Sequence, residues 1–226
     1  GDPKIDLVFF RENTEDLYAG VEHRVGRYAA ESIKIITKEA SVRIAQAAFG
    51  YAATHGRKKV TAVHKANIMK LTDGLFLASA REVARLHPAV AYEEVIVDNL
   101  CMQLVMRPEQ YDVLLAPNLY GDIISDLCAG LAGGLGMVPG ANIGDSCAVF
   151  EPIHGSAPDI AGKNVANPAA MLLSAAMMLD YLGEGLAAAR VRSALTRVLA
   201  AGRSLTPDLG GSATTAAMTD AILAEL

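Results

Sequence analysis

This 226-residue chain has no excess of basic charge: 20 lysines and arginines face 25 aspartates and glutamates, a formal net charge of -5 with no block of one sign. It therefore lacks the electrostatic footprint that a nucleic-acid backbone or an anionic membrane selects, and neither is expected as a partner. Cysteine is scarce. Cys101, Cys128 and Cys147 are an odd, widely spaced set without the C-x-x-C spacing of a zinc or redox site. They read as buried thiols in a reducing compartment, with the cytoplasm expected. The most apolar run, Ala169 to Leu179, is broken by Ser174 and followed by Asp180. It falls short of the roughly 18 to 20 residues that cross a bilayer, so no transmembrane span is expected. The opening Gly1-Asp2-Pro3-Lys4 has neither the charged start nor the small-residue cleavage site of a signal peptide. So abrupt a start is expected to be an artificial boundary. There is no Walker A sequence, internal repeat or low-complexity tract. The Gly133 to Gly140 segment is no Rossmann fingerprint, because its spacing is wrong and it follows a helical stretch rather than a strand.

What is present is apolar and alternating. With 52% hydrophobic residues the chain can bury one large core or two smaller ones. Short β-prone runs at Ile5 to Phe10, Lys59 to Val63, Ala91 to Val97 and Tyr111 to Ala116 are separated by helical spacing, as over Ser41 to Thr54 and Thr72 to Leu86. The alternation predicts an α/β layered sheet. Leu17 to Val25 and Ile33 to Thr37 break the rhythm. They read as a two-stranded arm over about 17–38, and self-association is its economical role because a lone ribbon is marginal in water. From Ala129 the composition shifts to Gly and Ala, and a second unit is expected to begin there. Helices are expected near 168–182, 184–201 and 213–225, without an adequate set of strands of their own.

The sharpest motif is Asn118-Leu119-Tyr120-Gly121-Asp122-Ile123-Ile124-Ser125-Asp126, following an apolar strand. On a helix Asp122 and Asp126 share one face, and two like charges held so close repel unless a cation sits between them. The same pair equally suits a helix start, with Asp122 as cap and Asp126 on a solvated face. Asp98, at the expected end of a strand, would add a third carboxylate at the edge where α/β sheets bind ligands. Oxygen-only ligands suit a hard cation such as Mg²⁺ or Mn²⁺. Asp98 alone could equally cap the next helix. Lys65, in His64-Lys65-Ala66-Asn67-Ile68-Met69, also leaves a strand; beside a divalent cation a lysine can exchange protons near neutrality, and otherwise it is a loop lysine. Arg11 could grip a carboxylate in bidentate fashion, and Tyr18 could donate a proton or simply pack. The stretch Glu151-Pro152-Ile153-His154-Gly155-Ser156-Ala157-Pro158-Asp159-Ile160 is either a surface turn or a loop whose small residues let backbone amides approach a ligand.

Taken together, Arg11 to Tyr18, His64 to Met69, Asn118 to Asp126 and His154 to Pro168 resemble the isocitrate and isopropylmalate dehydrogenase family. The resemblance implies that fold: a small dimer-forming domain with the arm at 1–128, and an incomplete large NAD-binding domain at 129–226. It implies that Asp98, Asp122 and Asp126 hold Mg²⁺ or Mn²⁺, that Arg11, Tyr18 and Lys65 contact the substrate, and that Tyr18 and Lys65 handle protons. It also implies a homodimer in which Lys65 and Asp98 enter the partner's site. NAD is implied as cofactor, because Asp159 and Ile160 stand where NADP-using members carry basic or aromatic residues. Glu151, His154, Gly155, Ala157 and Asn167 would then shape the adenosine pocket, with Asn67 near the nicotinamide. The wording Glu12 to Gly20 is most similar to NAD-linked isocitrate dehydrogenases. Homoisocitrate, isopropylmalate and tartrate or malate enzymes stay open, as does a non-catalytic dimerisation fragment or regulatory subunit. Family members carry a substantial further N-terminal portion that helps to discriminate the hydroxy-tricarboxylate or dicarboxylate substrate.

Overall fold

The computed structural model describes residues 5–226; Gly1 to Lys4, on which the reading of the chain's start falls, lie outside the described residues. Contacts divide the chain into two compact units, residues 1–128 and 129–226.

In the first unit, β1 (Val8–Arg11) leads through a 3-10 turn at Leu17–Ala19 to the antiparallel pair β2 (Glu22–Val25) and β3 (Ala29–Ser32). There follow α1 (Lys38–Thr54), β4 (Lys59–His64), α2 (Thr72–Ala84), β5 (Ala91–Ile96), α3 (Val97–Met106), β6 (Val113–Ala116) and α4 (Asn118–Leu131). Strands β1-β6-β4-β5 form one parallel sheet in that order. A parallel sheet covered on both faces needs continuous apolar strands rather than alternation. Val113, Leu114, Leu115 and Ala116 of β6 are accordingly all buried. Thr37 caps α1 by accepting the Ala40 N–H at 3.2 Å, and Ala45, Ala48, Phe49 and Ala52 recur at helical spacing. They meet Phe76, Leu77, Ala80 and Val83 of α2 and Val60 and Ala62 of β4 in one core. Because every strand runs the same way, Arg11, His64, Ile96 and Ala116 all end at one edge of the sheet.

The arm is present with different strands. Leu17 to Ala19 curl into the 3-10 turn, and Ile33 to Thr37 contribute only the isolated bridge Asp16↔Ile35. Glu22–Val25, the second half of the expected first strand, pairs with Ala29–Ser32 of the polar connection rather than with Ile33 to Thr37, and all eight residues are exposed. Apolar residues at Leu17 and Ile33 mark where the arm is rooted, and a hairpin exposed on both faces leaves no apolar alternation to read.

In the second unit β7 (Pro139–Ile143) and β8 (Ala148–Pro152) pair antiparallel, followed by α5 (Ala169–Tyr181), α6 (Gly185–Ala201) and α7 (Thr215–Leu223). Ala169, Ala194, Leu195, Val198, Met218 and Ile222 form its core. The unit thus has strands of its own, contrary to expectation: β7 and β8 pack on α5, with the Phe150 and Tyr181 rings 5.5 Å apart. Glycine and proline in Pro139-Gly140-Ala141-Asn142-Ile143 hid β7, and Glu151 belongs to β8 rather than to a loop. The cysteines also depart from the reading of three buried thiols, since Cys147 is exposed and Cys101 and Cys128 are half-buried. No described helix is long and apolar enough to cross a membrane.

Candidate active site

Arg11 ends β1 and turns its side chain onto the first turns of α4. Its Nε donates to Asn118 Oδ1 at 2.9 Å, and a terminal nitrogen pairs with Asp122 Oδ1 at 2.7 Å. The guanidinium carbon lies 5.1 Å from the centroid of the Tyr18 ring. Hydrogen bonding to Asp122 chiefly, helped by partial burial, raises the Tyr18 phenol above its ordinary pKa. The Tyr18 side chain is otherwise largely exposed. Arg11, Tyr18 and Asp122 thus form one cluster: a cation fit for a carboxylate, a proton donor, and an acid held by both.

Asp122 does not cap its helix. α4 begins four residues earlier, at Asn118, whose Nδ2 donates to the Glu15 carbonyl at 3.1 Å while Oδ1 serves Arg11. Asp126 follows one turn on, on the same face as Asp122, and is exposed. Asp98 likewise does not end a strand. β5 stops at Ile96, and Asp98 sits in the first turn of α3, where Lys65 Nζ donates to its Oδ1 at 2.7 Å. That hydrogen bond holds the Asp98 carboxyl below the usual range. Lys65 leaves the end of β4, and Asn67 is exposed in the turn after it. His64 is lowered by burial, which disfavours the imidazolium. Among the described residues no three acidic, imidazole or thiol groups gather closely enough to hold a metal ion. The single chain offers Asp122 with Asp126 as one pair, and Asp98 beside Lys65 as a separate group.

The loop 12–16 that carries the turn to Tyr18 is tied down throughout. Glu12 accepts from the Thr14 N–H, the Thr14 hydroxyl and the Glu15 N–H at 2.6–3.2 Å, and pairs with Arg43 at 3.2 Å. Glu15 accepts from the Thr37 N–H and hydroxyl, both at 2.8 Å. These residues hold the loop rather than face a ligand.

Sequence reasoning missed a buried group below the site. Asp73, in the first turn of α2 and fully buried, accepts from the Lys65 N–H at 2.6 Å and the Tyr120 hydroxyl at 3.0 Å through Oδ2. Its Oδ1 pairs with Lys34 Nζ at 2.9 Å. Lys34 also reaches the buried Asp16 at 3.5 Å and lies 4.3 Å from the Tyr120 ring centroid. Asp16 in turn accepts the Leu119 N–H at 3.0 Å. The one available signal was Lys34 itself, a charge between two isoleucines in an apolar run. Nothing in Thr72-Asp73 distinguishes a buried carboxylate from an ordinary helix start.

In the second unit, Glu151 is exposed on β8 and accepts from Asn142 Nδ2 at 2.9 Å. His154, Gly155, Ala157 and Asp159 are exposed in the loop beyond it, with Ile160 half-buried. Ala157 adopts φ +43°, a left-handed conformation rare outside glycine, and its carbonyl accepts from Ile160 N–H at 3.1 Å. Asn167 secures the far end of the loop, accepting from the Ala169 N–H and donating to Asp208, both at 2.9 Å.

A parallel sheet flanked by helices, with Arg11 and Lys65 at the same end of its strands and carboxylates beside each, defines an α/β protein with a candidate ionic site at its strand ends. The chain belongs to the isocitrate/isopropylmalate dehydrogenase family, whose model matches residues 2–222. It is 58% identical over 219 residues to the mitochondrial NAD isocitrate dehydrogenase catalytic subunit 5 of Arabidopsis thaliana, covering 96% of this chain and 59% of that protein. It is 57% identical to the chloroplastic 3-isopropylmalate dehydrogenase of Solanum tuberosum, over 88% of this chain and 56% of the relative. The chain thus spans less than two thirds of these relatives' length. The crystal structure of isocitrate dehydrogenase from Methylococcus capsulatus superposes with a TM-score of 0.95 at 51% identity, over 98% of this chain and 67% of that one.

Proposed function

We propose that the complete protein catalyses the metal-dependent, NAD-linked oxidative decarboxylation of isocitrate to 2-oxoglutarate. The observation that carries this reading is the Arg11–Asp122–Tyr18 cluster at the end of β1, within a chain of this family. Arg11 binds a substrate carboxylate, and Lys65 accepts the proton of the substrate hydroxyl. After hydride leaves the carbinol carbon, the neighbouring carbon's bond to its own carboxylate breaks, CO₂ departs, and the electron pair stays on that neighbouring carbon, which Tyr18 protonates.

The donor set fits a hard divalent cation, because Asp122, Asp126 and Asp98 offer only oxygen. Asp98 stands apart from the other two, which supports a homodimer in which Lys65 and Asp98 serve the site of a second copy. Mg²⁺ or Mn²⁺ on these carboxylates supplies polarisation of the substrate's hydroxyl and carboxylate, and NAD supplies the hydride acceptor. His154, Gly155, Ala157, Asp159, Ile160 and Asn167 suit the adenosine end. Their loop is exposed, small-residued and anchored at Asn167, and the Asp159 carboxylate would repel a 2′-phosphate. We assign Asn67 to the nicotinamide end, and Glu151, on β8 just before the loop, to the adenosine end. Three free thiols suit a reducing compartment, and we place the protein in the cytoplasm. The two relatives above bear organellar names.

The near-equal identity to an isopropylmalate dehydrogenase supports a second reading in which the acid differs. One assay separates the two: NADH formation by the complete protein with Mg²⁺ and isocitrate, isopropylmalate, homoisocitrate or tartrate. Turnover of isocitrate above the others supports the first reading. Preference for isopropylmalate selects the second, and no turnover with any acid rejects both.

A further inference from the structure

The ionic cluster under the site holds two fully buried carboxylates, Asp16 and Asp73, against the single amine of Lys34, whose side chain is 9% exposed. Such a cluster is a poor source of stability, since desolvating charges costs about as much as their attraction returns, and apolar replacements of like volume often fold as well. It is nevertheless completely hydrogen-bonded, and its partners come from particular places. Asp73 takes the backbone N–H of Lys65 itself. It takes the hydroxyl of Tyr120, two residues before Asp122. Through Lys34 it reaches Asp16, two residues before Tyr18, and Asp16 takes the N–H of Leu119 at the start of α4. Every segment of the first unit that carries a proton-handling residue is therefore joined to one buried carboxylate.

We propose that Asp73 is the positioning residue of Lys65, fixing its backbone at the end of β4 and so placing the amine that Lys65 brings to the site of a second copy. The inference rests on Lys65 acting as the proton acceptor. Lys65 leaves the sheet on a turn in which its carbonyl takes the Ile68 and Met69 N–H groups and its Nζ pairs with Asp98, and its own amide is tied to Asp73 at 2.6 Å, so Asp73 anchors the backbone from which the side chain projects. A buried carboxylate with two occupied oxygens is stiffer than a loop could be alone, because moving it breaks several bonds together. Misplacing a reacting group by about 1 Å costs about a hundredfold in rate.

The test is Asp73→Asn in the complete protein, which keeps the shape and removes the charge that faces Lys34. Ser79→Ala is the control: Ser79 is equally buried on the same helix, but among the described residues its hydroxyl bonds only the Leu75 carbonyl. We expect Asp73→Asn to lower kcat about a hundredfold with KM within about twofold, and to speed hydrogen exchange at the Lys65 amide while α1 stays protected. Ser79→Ala should leave kcat unchanged whatever it does to the melting temperature. Should Asp73→Asn not fold, Tyr120→Phe carries the test, with the same kcat-against-KM split at about fivefold. A folded Asp73→Asn with unchanged kcat overturns the inference. So does an unchanged kcat in Tyr120→Phe if Asp73→Asn does not fold, or an equal loss in Ser79→Ala. Absence of turnover in the unsubstituted protein fails earlier and differently, since it removes the role of Lys65 and with it the inference.

Discussion

Gly121 and Arg11 touch: a Cβ at residue 121 would lie 2.5 Å from Arg11 Cγ and 2.9 Å from Arg11 Cβ. The Arg11 Cβ belongs to the last residue of β1 and cannot move without the sheet. Only glycine therefore lets the arginine cross the α4 backbone to reach Asp122. Gly121→Ala should push the guanidinium off Asp122, raise KM for the acid about tenfold or more, and cost roughly 1–3 kcal/mol from overpacking. Steady-state kinetics together with urea unfolding check both effects, and an unaltered KM would remove Arg11 from substrate binding.

Asp122→Asn removes a charge without changing shape. It should abolish metal-dependent turnover while far-ultraviolet circular dichroism stays that of the parent. Titrating Mg²⁺ into the variant is the check. Undiminished turnover would sink the assignment of Asp122 as a ligand.

Acid stability should depend on Glu94. Its carboxyl is held below the ordinary range chiefly by hydrogen bonding to Arg81, with bonds of 2.6 and 2.7 Å, and is helped by the Tyr92 hydroxyl. A depressed acid stabilises the fold fully above its unfolded pKa and loses that contribution as pH falls through the lowered folded value. Glu94→Gln should therefore be less stable than the parent near neutrality, with the gap closing at acid pH. Urea midpoints across a pH series test this; a gap that is constant with pH would refute the linkage.

Thiol reactivity should rank by exposure and acidity. Burial pushes the Cys128 thiol up to about 12 and raises Cys101 more modestly, whereas Cys147 is exposed. At pH 8 roughly one Cys128 in ten thousand would be thiolate, so an aromatic disulfide reagent should consume Cys147 first and Cys128 last. Mass mapping of the modified residues gives the order. Early modification of Cys128 would contradict its burial.

The parallel strands at the middle of the sheet were readable because a sheet covered on both faces demands apolar runs: Val113–Ala116 is unbroken, and Lys59–His64 is interrupted between its polar ends only at Thr61. Glycine-bearing β7 and the hairpin's second strand, Ala29–Ser32, were not readable, for want of any apolar face to betray their period. Within the site, Arg11, Tyr18, Lys65 and Asp122 stood out by motif. The partners that hold them did not, since Asn118 to Arg11 and Asp73 to Lys65 are contacts between distant segments.

The sequence by itself determined the α/β alternation, the family and the short motifs, because periodicity and local wording are properties of neighbouring residues. Only the tertiary structure decided that Asp122 answers Arg11 while Asp98 answers Lys65, and that Asp73 lies buried between segments. Those outcomes depend on which strand ends share an edge and which carboxylates lose their water, and burial of a charge is settled by the whole chain's packing.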